Sequence, residues 1–191
     1  MSHIIQYQVA SSADISGVLN LQSLYLATNL SDEEKKAGFV TTPFSVAQLE
    51  DIIAQEGLFV AKKNDLIIAY IFAGSWQYFS QWPIFNHITS MFSELEFQDF
   101  KISTVNSFQY GPICIHKDFR GQGLINPLFE LMRLHLQIKY PLSLTFINQI
   151  NLPSIKAHVD KLRWTIIGEF GFNNNRYFVL AYDMKKTALA K

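Results

Sequence analysis

Residues 113–124 run Ile113-Cys114-Ile115-His116-Lys117-Asp118-Phe119-Arg120-Gly121-Gln122-Gly123-Leu124. An apolar strand passes through a short turn into an Arg-Gly-Gln-Gly stretch. A helix follows with Ile125, Leu128, Phe129, Met132 and Leu136 on one face. A strand-to-helix junction of this kind leaves several backbone N–H groups without partners at the helix N-terminus. Gly121 and Gly123 carry no Cβ, so a ligand can approach the main chain closely. The helix dipole adds positive potential at the same point. Together these features make a cradle for an anion such as a pyrophosphate, to which Arg120 can add a cationic fork. The two common phosphate fingerprints, Gly-x-x-x-x-Gly-Lys-Ser/Thr and Gly-x-Gly-x-x-Gly, are absent. A plain tight turn would use the same two glycines, so both readings stand on this segment alone.

The rest of the chain bounds the context. Its 191 residues, 49% of them apolar, suit one domain over residues 1–191 with a sizeable core. Sixteen basic residues balance sixteen acidic ones, which argues against a broad nucleic-acid footprint, so no nucleic-acid partner is expected. The single cysteine, Cys114, allows no internal disulfide and fits a reducing compartment. Residues 1–10 lack the basic and apolar pattern of a secretory signal. The most apolar stretch, residues 66–76, is too short to cross a bilayer, which takes about 20 residues. A cytoplasmic protein with no membrane partner and no metal is the expectation.

Apolar periodicity and punctuation predict the elements. Strands are expected over 4–9, 58–62, 66–75, 108–115, 142–147, 164–172 and 177–183. Asn64-Asp65 turns the first hairpin and residues 173–175 turn the last. Helices are expected over 13–28, 46–55, 124–140 and 153–163, with Ser45 capping the second and Pro153 suited to a first turn. Residues 29–42 read as a polar loop or broken helix punctuated by Gly38 and Pro43. Pro112 demands a bulge or an edge within its strand. Residues 76–107 form an aromatic-rich insertion, longer than a hairpin connection, with a helix over 84–95 after Pro83. It serves as extra core, as a wall of a substrate pocket or as a homodimer surface. The alternation of strands and helices, closed by a hairpin, implies a three-layer mixed α/β domain.

The motif resembles the signature of the GNAT superfamily of N-acetyltransferases, a strand ending in Val/Ile-x-Pro-x-Tyr/Phe-Arg-Gly-x-Gly-x-Gly/Ala. Ile115, Phe119, Arg120, Gly121 and Gly123 match it. Lys117 stands in place of the proline, and Ile125 in place of the small final residue. Its branched side chain either narrows the cradle or points into the core, and the backbone donors survive both. A second block, Asn151-Leu152-Pro153-Ser154-Ile155-Lys156-Ala157-His158, resembles the family's Asn-x-x-Ser/Ala-x-x-Ala/Leu-His/Tyr helix. One residue is inserted between His158 and Trp164, and Arg163 occupies the place of a family glycine.

The resemblance implies an α/β/α fold with a mixed, mostly antiparallel sheet splayed between two central parallel strands. It implies acetyl-CoA as cosubstrate and direct attack by a small-molecule or peptide amine in a ternary complex. Carried over, the backbone of Ile113, Cys114 and Ile115 lies along the pantetheine arm. Arg120, Gly121, Gln122, Gly123, Leu124 and Ile125 hold the pyrophosphate, and Asn151 and Ser154 line the far side. Backbone N–H near Ile113 and Ile115 can polarise the thioester carbonyl. His158 stands where many members place a tyrosine acid, and is read either as that acid or as a local structural residue. His116 reads as a surface residue. Cys114, between two isoleucines and without a visible base, reads as packing rather than as an acyl-carrying nucleophile. Glu33, Glu34, Glu94, Glu96 and Asp99 offer no clear general base. A binding module of the same fold without turnover is the alternative function.

Overall fold

A computed structural model describes residues 4–189. In chain order the elements are β1 (Gln6–Val9), α1 (Ile15–Tyr25), α2 (Asp32–Lys35), α3 (Val46–Ala54), β2 (Leu58–Lys63) and β3 (Leu66–Gly74). The insertion follows as α4 (Trp76–Phe79), α5 (Pro83–Ser90), β4 (Glu96–Phe97) and β5 (Phe100–Lys101). The remainder is β6 (Ser107–Ile115), α6 (Ile125–Leu136), β7 (Leu142–Asn148), α7 (Leu152–Lys156), β8 (Thr165–Phe172) and β9 (Asn175–Asp183). Seven strands form one sheet in the order β1-β2-β3-β6-β7-β9-β8, while β4 and β5 make a separate ribbon. Every pairing in the large sheet is antiparallel except β6 with β7.

Apolar residues cover both faces of the sheet, which is why β2 and β3 read as continuous apolar runs rather than alternating ones. Leu58 and Val60 join one core with α1, α3 and the insertion. Phe59 and Ala61 point to the other face and join α6, Leu162 and Trp164. The insertion is core: Trp76, Phe79, Phe85, Phe92 and Phe97 are all buried on the α1 side.

The two hairpin turns form as expected, with positive φ at Asn64, Asp65, Asn173 and Asn174, the residues that tolerate a primed turn. Pro112 falls where the β3–β6 register shifts, between the Ile71 and Ala73 pairings. Several boundaries differ from expectation. Residues 4–5 lie outside β1. α1 stops at Tyr25 because Leu26 turns extended and bridges Val40. Residues 29–42 contain α2, nucleated by a capping box in which Ser31 and Glu34 satisfy each other's backbone N–H. The helix expected over 84–95 ends at Ser90 and continues as a separate tight turn at Phe92–Glu94. α6 stops at Leu136, ahead of Pro141, which disfavours helical backbone in the residue before it.

The helix after β7 departs most. It starts at Leu152, with the Asn151 side chain accepting from Ser154 N–H, and widens into a π turn at Ala157–Lys161. The Leu162 N–H bonds the Ala157 carbonyl five residues back at 3.2 Å. A π turn is how a helix absorbs one extra residue, and it takes up the insertion seen before Trp164. Arg163 then closes the helix in the left-handed region at φ 64°, while Trp164 N–H returns to the His158 carbonyl at 3.0 Å. Glycine is the residue suited to that position. Arg163→Gly should therefore stabilise the fold by about 0.5–1 kcal/mol, the relieved strain exceeding the extra chain entropy. Chemical denaturation of the two proteins checks the sign.

Candidate active site

β6 and β7 pair only through Ser107–Leu142, Phe108–Ser143 and Gln109–Leu144. Beyond Gln109 they part. A gap opens there, walled by Tyr110, Gly111, Pro112 and Ile113 from one strand and by residues 145–148 from the other. It has a volume of about 90 Å³. Gly111 lies at φ 100°, a backbone conformation that favours glycine, and a Cβ there would come into ordinary contact with Thr145 Oγ1 at 3.5 Å. The gap joins a larger cleft of about 250 Å³ that runs along Ile113–Ile115 to the glycine turn. Both compartments share Phe39, Val40, Ile113, Asn151, Ser154 and His158.

At the turn, Gly121 and Gly123 adopt φ 75° and 80°, and an added Cβ at either would meet nothing within 4 Å. An added side chain at either would project into open space. Among the described residues, the N–H groups of residues 121–125 have no hydrogen-bond partner. Five donors at the start of a helix are a ready anion site. Ile125 is only 6% exposed and packs with the α6 core, so its branched side chain turns inward and leaves the main chain clear. Leu124 is buried likewise. The Gln122 side chain donates to the Asp118 carbonyl at 2.7 Å, and Gln122 does not line the cleft. His116 accepts from Asp118 N–H and caps the short turn before the glycines.

Arg120 and Asn151 do more than the sequence suggested. Arg120 Nε donates to the Ile115 carbonyl at 2.9 Å, its Nη1 donates to the Ala37 carbonyl, and its guanidinium lies 4.5 Å over the Tyr25 ring. On the opposite bank, Asn151 Nδ2 donates to the Phe39 carbonyl at 3.2 Å while its Oδ1 caps α7. Residues 36–40 thus form a strap across the cleft, tied to β6 by one side chain and to the start of α7 by the other. The strap's base is fixed by Val40 N–H on the Tyr25 carbonyl and by the Tyr25 hydroxyl accepting from Lys117 N–H at 2.7 Å. Nothing in the sequence pattern marks Phe39, because its contribution is a main-chain carbonyl that every residue possesses.

The surroundings of His158 bear on the two roles open to it, acid or local structural residue. The ring is 2% exposed and packs against Tyr110 and Trp164. Its Nδ1 lies 2.7 Å from the Ser154 carbonyl, which only accepts, so Nδ1 holds the proton and Nε2 is a lone pair. Burial drives its pKa down to about 4, against a partial offset from the Ser154 contact. At neutral pH the ring is uncharged and has no proton on Nε2 to give. Cys114 is 4% exposed, faces Tyr70 across the β3–β6 pairing, and is pushed up to about 12 by burial, so it is held as a thiol. Tyr110 and Tyr177 line the gap, and burial raises both phenols above their usual range. Within the described residues, no three Cys, His, Asp or Glu side chains group to hold a metal, and no helix is long and apolar enough to cross a membrane.

No protein-family model matches the chain, and no curated protein matches it by sequence. Solved structures do match. An N-acetyltransferase from Staphylococcus aureus aligns with a TM-score of 0.62 at 16% identity, covering 95% of this chain and 99% of that one. A GNAT-family acetyltransferase from Streptococcus agalactiae gives 0.62 at 17% identity over 94% and 95%. A putative acetyltransferase from Salmonella typhimurium, solved with acetyl-CoA, gives 0.59 at 12% identity over 97% and 96%. The chain has the GNAT acetyltransferase fold.

Two predictions follow from this geometry. The unfolded chain protonates its histidines near pH 6.5 and the folded chain protonates His158 near 4, so unfolding takes up a proton between those values. Stability therefore falls as pH drops through that window, by about 2 kcal/mol at pH 5 from this residue alone. His158→Gln should flatten the pH 5–7 dependence of the melting temperature. Secondly, Arg120→Lys and Asn151→Ser should each speed hydrogen exchange at residues 37–40. The double variant should add little beyond either single, because both release the same strap. Independent, additive effects would mean that the two residues do not act through it.

Proposed function

We propose that this chain is an N-acetyltransferase that moves an acetyl group from acetyl-CoA to a primary amine by direct attack in a ternary complex. The observation that carries the reading is the run of N–H groups at residues 121–125 without partners among the described residues, where Gly121, Gly123, Leu124 and Ile125 line a cleft that leads into the gap between β6 and β7. The GNAT fold supports it, as do neighbours solved with acetyl-CoA or with CoA and a peptide. The reading takes residues 1–191 as one catalytic domain, and the lone thiol suits a cytoplasmic setting.

Acetyl-CoA supplies the activated thioester. The chain's part begins with the residue 121–125 N–H groups, which hold the pyrophosphate, helped by the positive end of α6. Arg120 and Lys161 line the same cleft and add positive charge. The main chain of Ile113, Cys114 and Ile115 lies along the channel leading to the gap, where donors on the strand can polarise a carbonyl. The strap at residues 36–40 covers the channel and limits water. The thiol needs no strong acid to leave, since its own pKa is about 8.5 and a thiolate is tolerable near neutrality. The amine's proton passes to solvent, because His158 is a poor acceptor at neutral pH.

That last point also favours a second reading, a non-catalytic acetyl-CoA-binding module. Calorimetric titration of acetyl-CoA and a thiol-release screen with amines separate the two: binding is common to both, turnover only to the first. Gly123→Val should weaken acetyl-CoA binding by about tenfold to a hundredfold, since it strains a positive φ and fills the cradle. An unchanged dissociation constant would move the pyrophosphate elsewhere.

A further inference from the structure

The gap between β6 and β7 has a chemistry of its own. Its walls combine apolar and aromatic side chains, Phe39, Phe146, Ile147 and Tyr177, with uncharged polar ones at Thr41, Thr145 and Asn148. Phe85, Phe170 and Tyr177 pack on the Phe146 ring at 5.2–5.6 Å and hold that wall in place. The titratable side chains facing the gap are Tyr110 from β6, His158 from the π turn and Tyr177 from β9. All three are uncharged at neutral pH. The charged residues lining the adjoining cleft are Arg120 and Lys161, both cations. Among the described residues no Asp or Glu lines either compartment.

An ammonium entering this space would lose its hydration and gain no carboxylate counter-ion. Burying an unpaired charge is strongly unfavourable. Arg120 and Lys161 line the cleft rather than the gap, and suit the anionic CoA end. A neutral amine avoids this penalty. With no base of suitable pKa at the gap, the fraction of acceptor that is already neutral in solution sets the supply of nucleophile. At pH 7 an α-amino group of pKa about 8 is roughly a tenth neutral. An alkylamine of pKa about 10.4 is neutral in only about one molecule in 2,500.

We propose that the acceptor is a weakly basic primary amine on a compact apolar body, entering the β6–β7 gap uncharged. The inference rests on the acetyl-transfer reading and specifies its substrate. An arylamine and the α-amine of an apolar residue share this chemistry. Polyamines and lysine side chains lack it.

The test uses the full chain with acetyl-CoA and follows thiol release. Phenylalanine amide and 4-methoxyaniline represent the two sources of a weakly basic amine, phenethylamine offers a similar body with a strongly basic amine, and spermidine is the polycation. At pH 7, kcat/KM for at least one of the first two should exceed that for phenethylamine by about tenfold or more, the lower nucleophilicity of weak bases offsetting part of the population advantage. Which of the two leads identifies the source. The ratio should shrink as pH rises toward 9.5, and spermidine should stay near background. Asn148→Asp adds a carboxylate at the gap with little change of shape, and should shift preference toward phenethylamine. Spermidine or phenethylamine leading at pH 7, or a ratio that ignores pH, would overturn this inference while leaving acetyl transfer intact. Acetyl-CoA binding without thiol release from any amine, or no binding at all, would remove the acetyl-transfer reading and this inference with it.

Discussion

The parting of β6 from β7 after three paired positions is the constraint on which the site depends. Two parallel strands that stayed in register would leave no channel through the sheet. Here the divergence coincides with a register shift on the other side of β6, a glycine at φ 100° and a proline that offers no N–H to a ladder. The sheet can tolerate the opening because both its faces are covered by separate apolar cores, which hold the two halves from above and below. The aromatic insertion belongs to this scaffolding: its Phe85 ring braces Phe146, and through it one wall of the gap.

The cleft is closed by contacts rather than by a dedicated domain. Arg120 and Asn151, on opposite banks, both reach the strap at residues 36–40. Each keeps donors free for other partners, so a structural role and a ligand role are compatible. The π turn at Ala157–Lys161 carries a different cost. It sets His158 deep among Tyr110 and Trp164, where the ring stays neutral, and it leaves Arg163 in a left-handed conformation. The same inserted residue explains both, and it accounts for the mismatch between this chain and the pattern it resembles.

Much of this was legible in the residues. The Arg120–Gly123 turn, the α6 periodicity, the hairpin turns at Asn64-Asp65 and Asn173-Asn174, and the parallel central pair follow from local chemistry and from the resemblance those segments carry. The Ser31–Glu34 capping box was readable as well, and its absence from the expected elements is a missed local signal rather than a tertiary surprise. Helix ends were less legible. Leu26 leaves its helix to bridge Val40, and the helix after β7 widens at a point set by one extra residue, neither of which periodicity records.

By itself the sequence determined the strand–glycine–helix turn, because unpaired N–H groups and positive φ at glycine are properties of consecutive residues. It also determined that Cys114 would be buried, since it stands mid-strand between isoleucines. What only the tertiary structure decided is the protonation of His158, the burden carried by Arg120 and Asn151, and the charge of the gap. Each of these depends on groups distant in sequence: Tyr110 and Trp164 around the imidazole, Ala37 and Phe39 across the cleft, and walls drawn from β6, β7, β9 and the strap. Burial and field are sums over neighbours in space, and a sequence lists neighbours only along the chain.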